Sequence, residues 1–387
     1  MPATTHHKPL IAVMNCLLLT SPRRLQILGV FVLLLIFGPW PAWVWAKEPG
    51  AKKLLYYGWG APDTQYVRDH WRQMEEMPFD GVGIVVAVDR QAWQQGKREG
   101  GNQLGWQVMG RRPFKVEEFG EAIADLQAAQ WRTCTDNFLP VALSSGSATG
   151  LNWFDEERWR TVANNFGVLA RIAAEGGAKG LILDPERYGY GLFSYSDQRQ
   201  QVDKPFGEYA DMARRRGREV MTVIATALPE AVLFSLYGYT LPLNELHRSK
   251  RLREADYGLL PAFYDGLLEA MSAGASLVDG YEFAYAFKEQ KQFFDGYNQI
   301  HQAALILSAV PARYQEKVSA GFGLWLDYQK QLKHFTPEEF RQAVSAAFEV
   351  SDRYVWIYTQ GPRFFPPSGV AASYIEAMAS ARRGMRR

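Results

Sequence analysis

The sequence predicts an α/β chain folded as a single-domain (β/α)8 barrel with long βα-loop insertions, preceded by a signal peptide. Three observations carry that prediction. β-rich runs alternate with helix-like runs eight times after residue 46. No Gly-rich dinucleotide fingerprint follows the first strand, and several predicted strands end in acids or aromatics. A doubly wound open sheet is the alternative topology for the same alternation.

The first strand is residues 53–59 (KLLYYGW), followed by a helix at 64–76. The second is 81–88 (GVGIVVAV); a Gly- and Arg-rich excursion at 100–114 and an amphipathic segment at 116–130 lead to the third, 138–143. Residues 154–175 read as a helix because Val162, Phe166, Leu169 and Ile172 recur at helical spacing. The fourth strand is 180–186 (GLILDPE) and the fifth 220–225, followed by a long mixed interval at 230–273. The sixth is 277–285 (LVDGYEFAY) with its helix at 288–310, and the seventh is 319–326 (SAGFGLWL). Thr336 caps the next helix, with Pro337 at the first position and Glu339 three residues on. The eighth strand is 354–359 (YVWIYT), and 368–381 closes the chain as a helix.

Residues 1–46 stand apart, leaving 47–387 as the barrel domain. Arg23 and Arg24 precede an apolar stretch at 25–45, broken by Pro39 and Pro41 and closed by Val44, Trp45 and Ala46. That is the pattern of a secretory signal, and an uncleaved signal anchor is its alternative. The expected location is therefore periplasmic or extracellular, or else the inner membrane through this segment alone. The formal net charge is +2 with acids and bases interspersed, which lacks the footprint of a nucleic-acid binder. The only cysteines are Cys16 and Cys134, so the exported part holds one thiol and no internal disulfide. The six His show no ligand spacing; no metal or cofactor is expected, although a carboxylate site for a hard cation stays open.

In a barrel of this kind chemistry lies at the C-terminal ends of the strands. Asp184 and Glu186 finish the fourth strand, and alternation places them on one face across Pro185. Glu282 on the sixth strand shares a face with Gly280 and Val278, and Asp327 after the seventh shares one with Trp325, Gly323 and Gly321. Glycines beneath an acid suit a crowded interior. Convergent carboxylates ringed by Trp and Tyr are what glycosidic bond cleavage requires: one acid protonated, another ionised, and aromatic faces against the sugar rings. The expected roles are Glu186 as general acid, Asp184 orienting it or raising its pKa, and Glu282 as nucleophile or base, with Asp327 as its substitute. Trp59, Asp63, Trp106, Arg111, Tyr188, Tyr285, Trp325 and Tyr358 are the expected substrate contacts.

The Asp184-Pro-Glu186 motif, the segment Asp279 to Tyr285 (DGYEFAY) and the segment Tyr354 to Pro362 (YVWIYTQGP) resemble those of secreted bacterial proteins described as glycosidases. The arrangement is also similar to the TIM-barrel glycoside hydrolases. The resemblance implies a barrel that cleaves an oligo- or polysaccharide. Chitinase-like barrels likewise end the fourth strand in D-x-E, which implies substrate-assisted catalysis. This chain has Lys179-Gly-Leu-Ile-Leu where their longer acidic run stands, and it departs from them there. Two rival functions accompany the hydrolase: a carbohydrate- or envelope-binding barrel without turnover, and a metal-assisted hydrolase of amide or ester bonds.

Other residues have plain alternatives. Trp106 and Arg111 lie in the excursion, where a packed Trp and a solvated Arg would serve equally. Arg214, Arg215 and Arg216 precede Gly217 at an expected helix C-terminus, where the dipole favours cations. Tyr188, Tyr190 and Tyr195 form either a mobile aromatic lip or loop packing, and Cys134 reads as an inert buried thiol.

Overall fold

The computed structural model describes residues 51–249, 251–328 and 334–384. The predicted signal peptide at 1–46 lies outside them. Nine parallel strands are β1 Lys53–Tyr56, β2 Gly81–Val82, β3 Phe138–Ser144, β4 Gly180–Arg187, β5 Val232–Ser235, β6 Ser276–Asp279, β7 Val318–Ala320, β8 Phe322–Trp325 and β9 Tyr354–Tyr358. They form one sheet in the order β2-β1-β9-β8 and another in the order β3-β4-β5-β6-β7. This architecture fits an α/β barrel.

The two sheets approach each other at two seams. β7 and β8 are one stretch of chain divided at Gly321, the first part pairing with β6 and the second with β9. At the other seam Gly83 forms an isolated parallel bridge to Phe138, and Ile84 N–H donates to Phe138 O at 2.8 Å. Just before it, Val82 N–H donates to the Asn137 side chain instead of a ladder carbonyl, which is why the predicted second strand shrinks to two residues.

Strand alternation sends Leu55, Phe138, Ile182, Phe234, Val278, Tyr354 and Trp356 into one buried apolar cluster. Such large rings need room. A Cβ on Gly323 would sit 2.6 Å from the Trp356 indole, so the glycine there accommodates the tryptophan. The helices bury their apolar faces in a second, larger cluster.

The fifth strand lies seven residues beyond its expected end. Residues 220–225 lie within the helix Phe206–Ala227, and the strand is Val232–Ser235. The β-branched run looked extended, and Gly217 looked like a terminator. Gly217 instead lets this helix meet the helix Leu260–Ala270 backbone to backbone: its Cβ would lie 2.1 Å from Phe263 O, and a Cβ on Gly266 1.9 Å from Arg214 O. Arg214, Arg215 and Arg216 are consequently in mid-helix. Arg216 is fully buried, donating to Trp153 O at 3.1 Å and to Glu219 at 2.8 Å, while Arg214 pairs with Glu269. The predicted capping box forms at Thr336 and Glu339, opening the helix Pro337–Val350. The helix expected at 288–310 is shorter, Gln290–Asn298, and passes into a π turn, Gln299–Ala303.

Candidate active site

β4 carries the first two acids. Its register against β3 slips between Asp184 and Arg187, where β3 spends two residues and β4 three. Pro185, which has no N–H to give the ladder, sits in this bulge. Asp184 is buried, with Oδ1 accepting the Glu186 backbone N–H at 3.0 Å. The Tyr188 hydroxyl lies 2.9 Å from Asp184 Oδ2 and 2.6 Å from Glu186 Oε2. Asp184, Glu186 and Tyr188 thus meet through one phenol. Burial, then the charge of Glu186, pushes the Asp184 carboxyl up to about 7.

Glu282 arrives by a route that alternation does not describe. β6 ends at Asp279, and Tyr281 adopts a left-handed backbone, φ 41° and ψ 62°, which returns the chain into a single turn, Glu282–Ala284. A tyrosine in that conformation costs about 1–3 kcal/mol and persists only where its surroundings enforce it. Here Tyr281 N–H donates to Asp279 Oδ1 at 3.1 Å, and Asp279 accepts from the Thr240 hydroxyl at 2.8 Å. Trp356 Nε1–H holds Gly280 O at 2.8 Å, and the Tyr281 hydroxyl reaches Gln299 at 2.9 Å. The outcome is a Glu282 side chain only 8 % exposed, with the Tyr285 hydroxyl as its hydrogen-bond partner. Burial, and after it the charge of Glu186, holds Glu282 well above the usual carboxylate range.

Asp184, Glu186, Tyr188 and Glu282 line one cavity of about 1230 Å³. That exceeds the usual drug-sized pocket and gives space for more than one sugar ring. Aromatic side chains wall it on two sides. Near Glu186, Tyr188 packs on Trp106 at 4.9 Å, and Trp59, 58 % exposed, stands 6.1 Å from Trp106. Near Glu282, Tyr285 stacks on Tyr358 at 5.3 Å and 22°, with Trp325 edge-on to both. The Tyr285 hydroxyl is buried beside the Glu282 carboxyl, its hydrogen-bond partner.

Three expected site residues do other work. Asp327 is absent from the cavity lining; its carboxylate accepts Trp325 Nε1–H at 2.9 Å, Gln360 N–H at 3.0 Å and Gly361 N–H at 2.9 Å. Asp63 lines the cavity, but its oxygens cap the helix Thr64–Met74 through Tyr66 N–H and accept Trp93 Nε1–H at 2.8 Å. Arg111 is exposed beside Gly150 and lines nothing in the cavity. Trp59, Trp106, Tyr188, Tyr285, Trp325 and Tyr358 all line it. Tyr57 and Tyr237 line it as well and escaped sequence reading. Tyr57 is two residues past the interior Leu55, so alternation could have found it. Tyr237 follows the true fifth strand and was lost with it. Cys134 is buried and its thiol is pushed up by burial, as befits a packing residue.

One phenol shared by two carboxyls, with a third acid buried beside Tyr285, can hold a proton ready and keep a separate carboxylate charged. Among the described residues no three His, Cys, Asp or Glu side chains group as metal ligands.

No family model matches this sequence. No curated protein matches it either. Solved structures match it only at low identity and low TM-score. A Bacteroidetes-affiliated GH5 cellulase is 11% identical, with a TM-score of 0.44 over 86% of this chain and 92% of that one. A GH18 chitinase from Pseudoalteromonas aurantia is 11% identical, with a TM-score of 0.40 over 85% and 99%. The 3-keto-D-glucoside 4-epimerase of E. coli is 13% identical, with a TM-score of 0.41 over 86% and 99%.

Proposed function

We propose that this protein is an exported glycoside hydrolase whose two sheets are the halves of one (β/α)8 barrel. The continuous chain across Gly321 and the Gly83–Phe138 bridge support closure of the barrel. The observation that carries the catalytic reading is the convergence of Asp184, Glu186 and Glu282 on a single cavity walled by Trp and Tyr.

The surroundings of the acids favour roles opposite to those expected from the sequence. Glu282, the more deeply buried, is suited to hold a proton for the leaving oxygen. Glu186 is partly exposed and takes the short 2.6 Å hydrogen bond from Tyr188, which suits an ionised nucleophile or base. Asp184 orients Glu186 through its backbone N–H and through Tyr188.

The test is release of new reducing ends from a panel of neutral and acidic oligo- and polysaccharides. The parent protein should cleave at least one, and Glu186→Gln and Glu282→Gln should each slow cleavage by at least about 100-fold while retaining the fold by circular dichroism. Binding without turnover in the parent would replace the hydrolase with a carbohydrate-binding barrel. Export is checked separately, by fractionating cells and sequencing the N-terminus of the mature protein.

A further inference from the structure

A phenol has one hydrogen, and Tyr188 has two carboxyl oxygens within hydrogen-bond distance. It can donate to only one of them. If both acids were ionised, the second contact would set two lone pairs against each other with no proton between. No cation relieves this: among the described residues neither Asp184 nor Glu186 has an ion pair, and Arg187 is committed to Asp197 at 2.9 Å. The titratable groups that face the trio are Glu282 and the phenols of Tyr57, Tyr237, Tyr257, Tyr264 and Tyr358, all acids or neutral. The contact is also held in place. Tyr188 N–H is bonded to Ser144 O at 3.1 Å, and its ring lies against Trp106.

We propose that Tyr188 is a proton-sharing bridge: the protonated Asp184 carboxyl donates to the Tyr188 oxygen while the Tyr188 hydroxyl donates to an ionised Glu186. The distances fit that direction, since 2.6 Å to Glu186 is the charge-assisted bond and 2.9 Å to Asp184 the weaker one. Shifting both hydrogens along the chain turns Asp184-COOH and Glu186-COO⁻ into Asp184-COO⁻ and Glu186-COOH, with Tyr188 neutral before and after. Protons and charge balance, and no solvent takes part. Glu186 can therefore be protonated from Asp184, and returned to the carboxylate by the reverse shift, inside a filled cavity, a role that rests on Glu186 being the reacting carboxylate. Tyr188 acts through the two acids and is a positioning residue.

The bridge makes a prediction of sign. A tyrosine that merely donated to Asp184 would stabilise the carboxylate, and Tyr188→Phe would raise the Asp184 pKa. A tyrosine that accepts the Asp184 proton stabilises the acid, so Tyr188→Phe lowers it, by about one pH unit for one lost hydrogen bond. The measurement is a ¹³C-carboxyl NMR titration of the full chain, with Asp184 assigned by its loss in Asp184→Asn. A fall supports the bridge; a rise or no change overturns it. Should Tyr188→Phe not fold, the parent protein answers alone. A protected low-field carboxyl proton, the one Asp184 gives to the Tyr188 oxygen, must be present below the Asp184 midpoint and vanish above it, and its absence throughout overturns the bridge. Neither measurement needs a substrate. A glycan panel without turnover would sink the hydrolase and leave the bridge standing.

Discussion

Buried acids sit at both ends of the strands, and they differ in partners, not in burial. Asp80 and Asp136, just before β2 and β3, are 3 % and 4 % exposed; Asp184, at the far end of β4, is 5 % exposed. Asp136 accepts the Tyr354 hydroxyl at 2.8 Å and pairs with Lys53 at 3.2 Å and Arg353 at 3.1 Å. Asp80 pairs with Arg382 and accepts Leu54 N–H at 2.9 Å. Burial alone would raise Asp136, but Tyr354 and the cations outweigh it and its pKa falls below the ordinary value. Asp184 and Glu282 have no cation and rise. Counter-charge therefore separates the end where a buried acid's pKa falls from the end where buried acids rise.

The sharpest way to break this contrast is to neutralise one acid at each end. Glu186→Gln and Glu282→Gln should each slow hydrolysis by roughly 10²–10⁴-fold, the usual worth of a positioned acid or base. Asp136→Asn should leave the rate per folded molecule unchanged. Steady-state rates normalised to folded protein decide the matter. An equal loss of rate in Asp136→Asn would erase the distinction between the two ends.

Stability should divide the same acids with opposite sign. The folded pKa of Asp184, about 7, lies above its unfolded value of 3.8. Its penalty is therefore absent below the unfolded pKa, grows as pH rises between the two values, and is complete above 7 at about 4 kcal/mol. Asp184→Asn should stabilise the protein at pH 8 and change little at pH 4. Asp136 is depressed, so its contribution is present above the unfolded pKa and is lost as pH falls through the folded one. Asp136→Ala should cost about 2–3 kcal/mol at pH 7, because it removes the acceptor of the buried Tyr354 hydroxyl and the nearer ion-pair partner of the largely buried Lys53. Urea unfolding of the three proteins from pH 4 to 8 tests both slopes. Parallel curves would refute the division.

What could be read in advance follows the same line. Asp184 and Glu186 were legible because an apolar run ends in them and side chains alternate along a strand. The interior phase was only weakly legible, since parallel strands are apolar on both faces, and the face shared by Gly323 and Asp327 did not bring Asp327 to the cavity lining. Glu282 reached the cavity for a reason the sequence hides. The left-handed turn at Tyr281 is enforced by Asp279, Thr240 and Trp356, and two of those three lie on other elements. The fifth strand failed because contact between Gly217 and Gly266, distant in sequence, outweighs the β-preference of Val220 to Ala225. Tyr188 was expected at the cavity lip, but the meeting of its hydroxyl with two acids depends on where the bulge at Pro185 turns the chain.

Asp327 offers the finest test, because it sits at the cavity end yet has the partners of a structural acid. Its two oxygens gather Trp325 Nε1–H and the backbone N–H groups of Gln360 and Gly361, so it fastens the chain after β9 to the aromatic wall beside Glu282. Asp327→Asn keeps the volume but turns one acceptor into a donor facing a backbone N–H. One lost hydrogen bond and one unsatisfied donor cost about 1–2 kcal/mol. If partners decide class, Asp327→Asn should loosen the wall formed by Trp325 and Tyr358, raising KM a fewfold while kcat and the pH profile stay as in the parent. If position along the strand decides it, kcat should fall as in Glu282→Gln. The split between KM and kcat thus separates the two principles by which an acid at a strand end acquires its role.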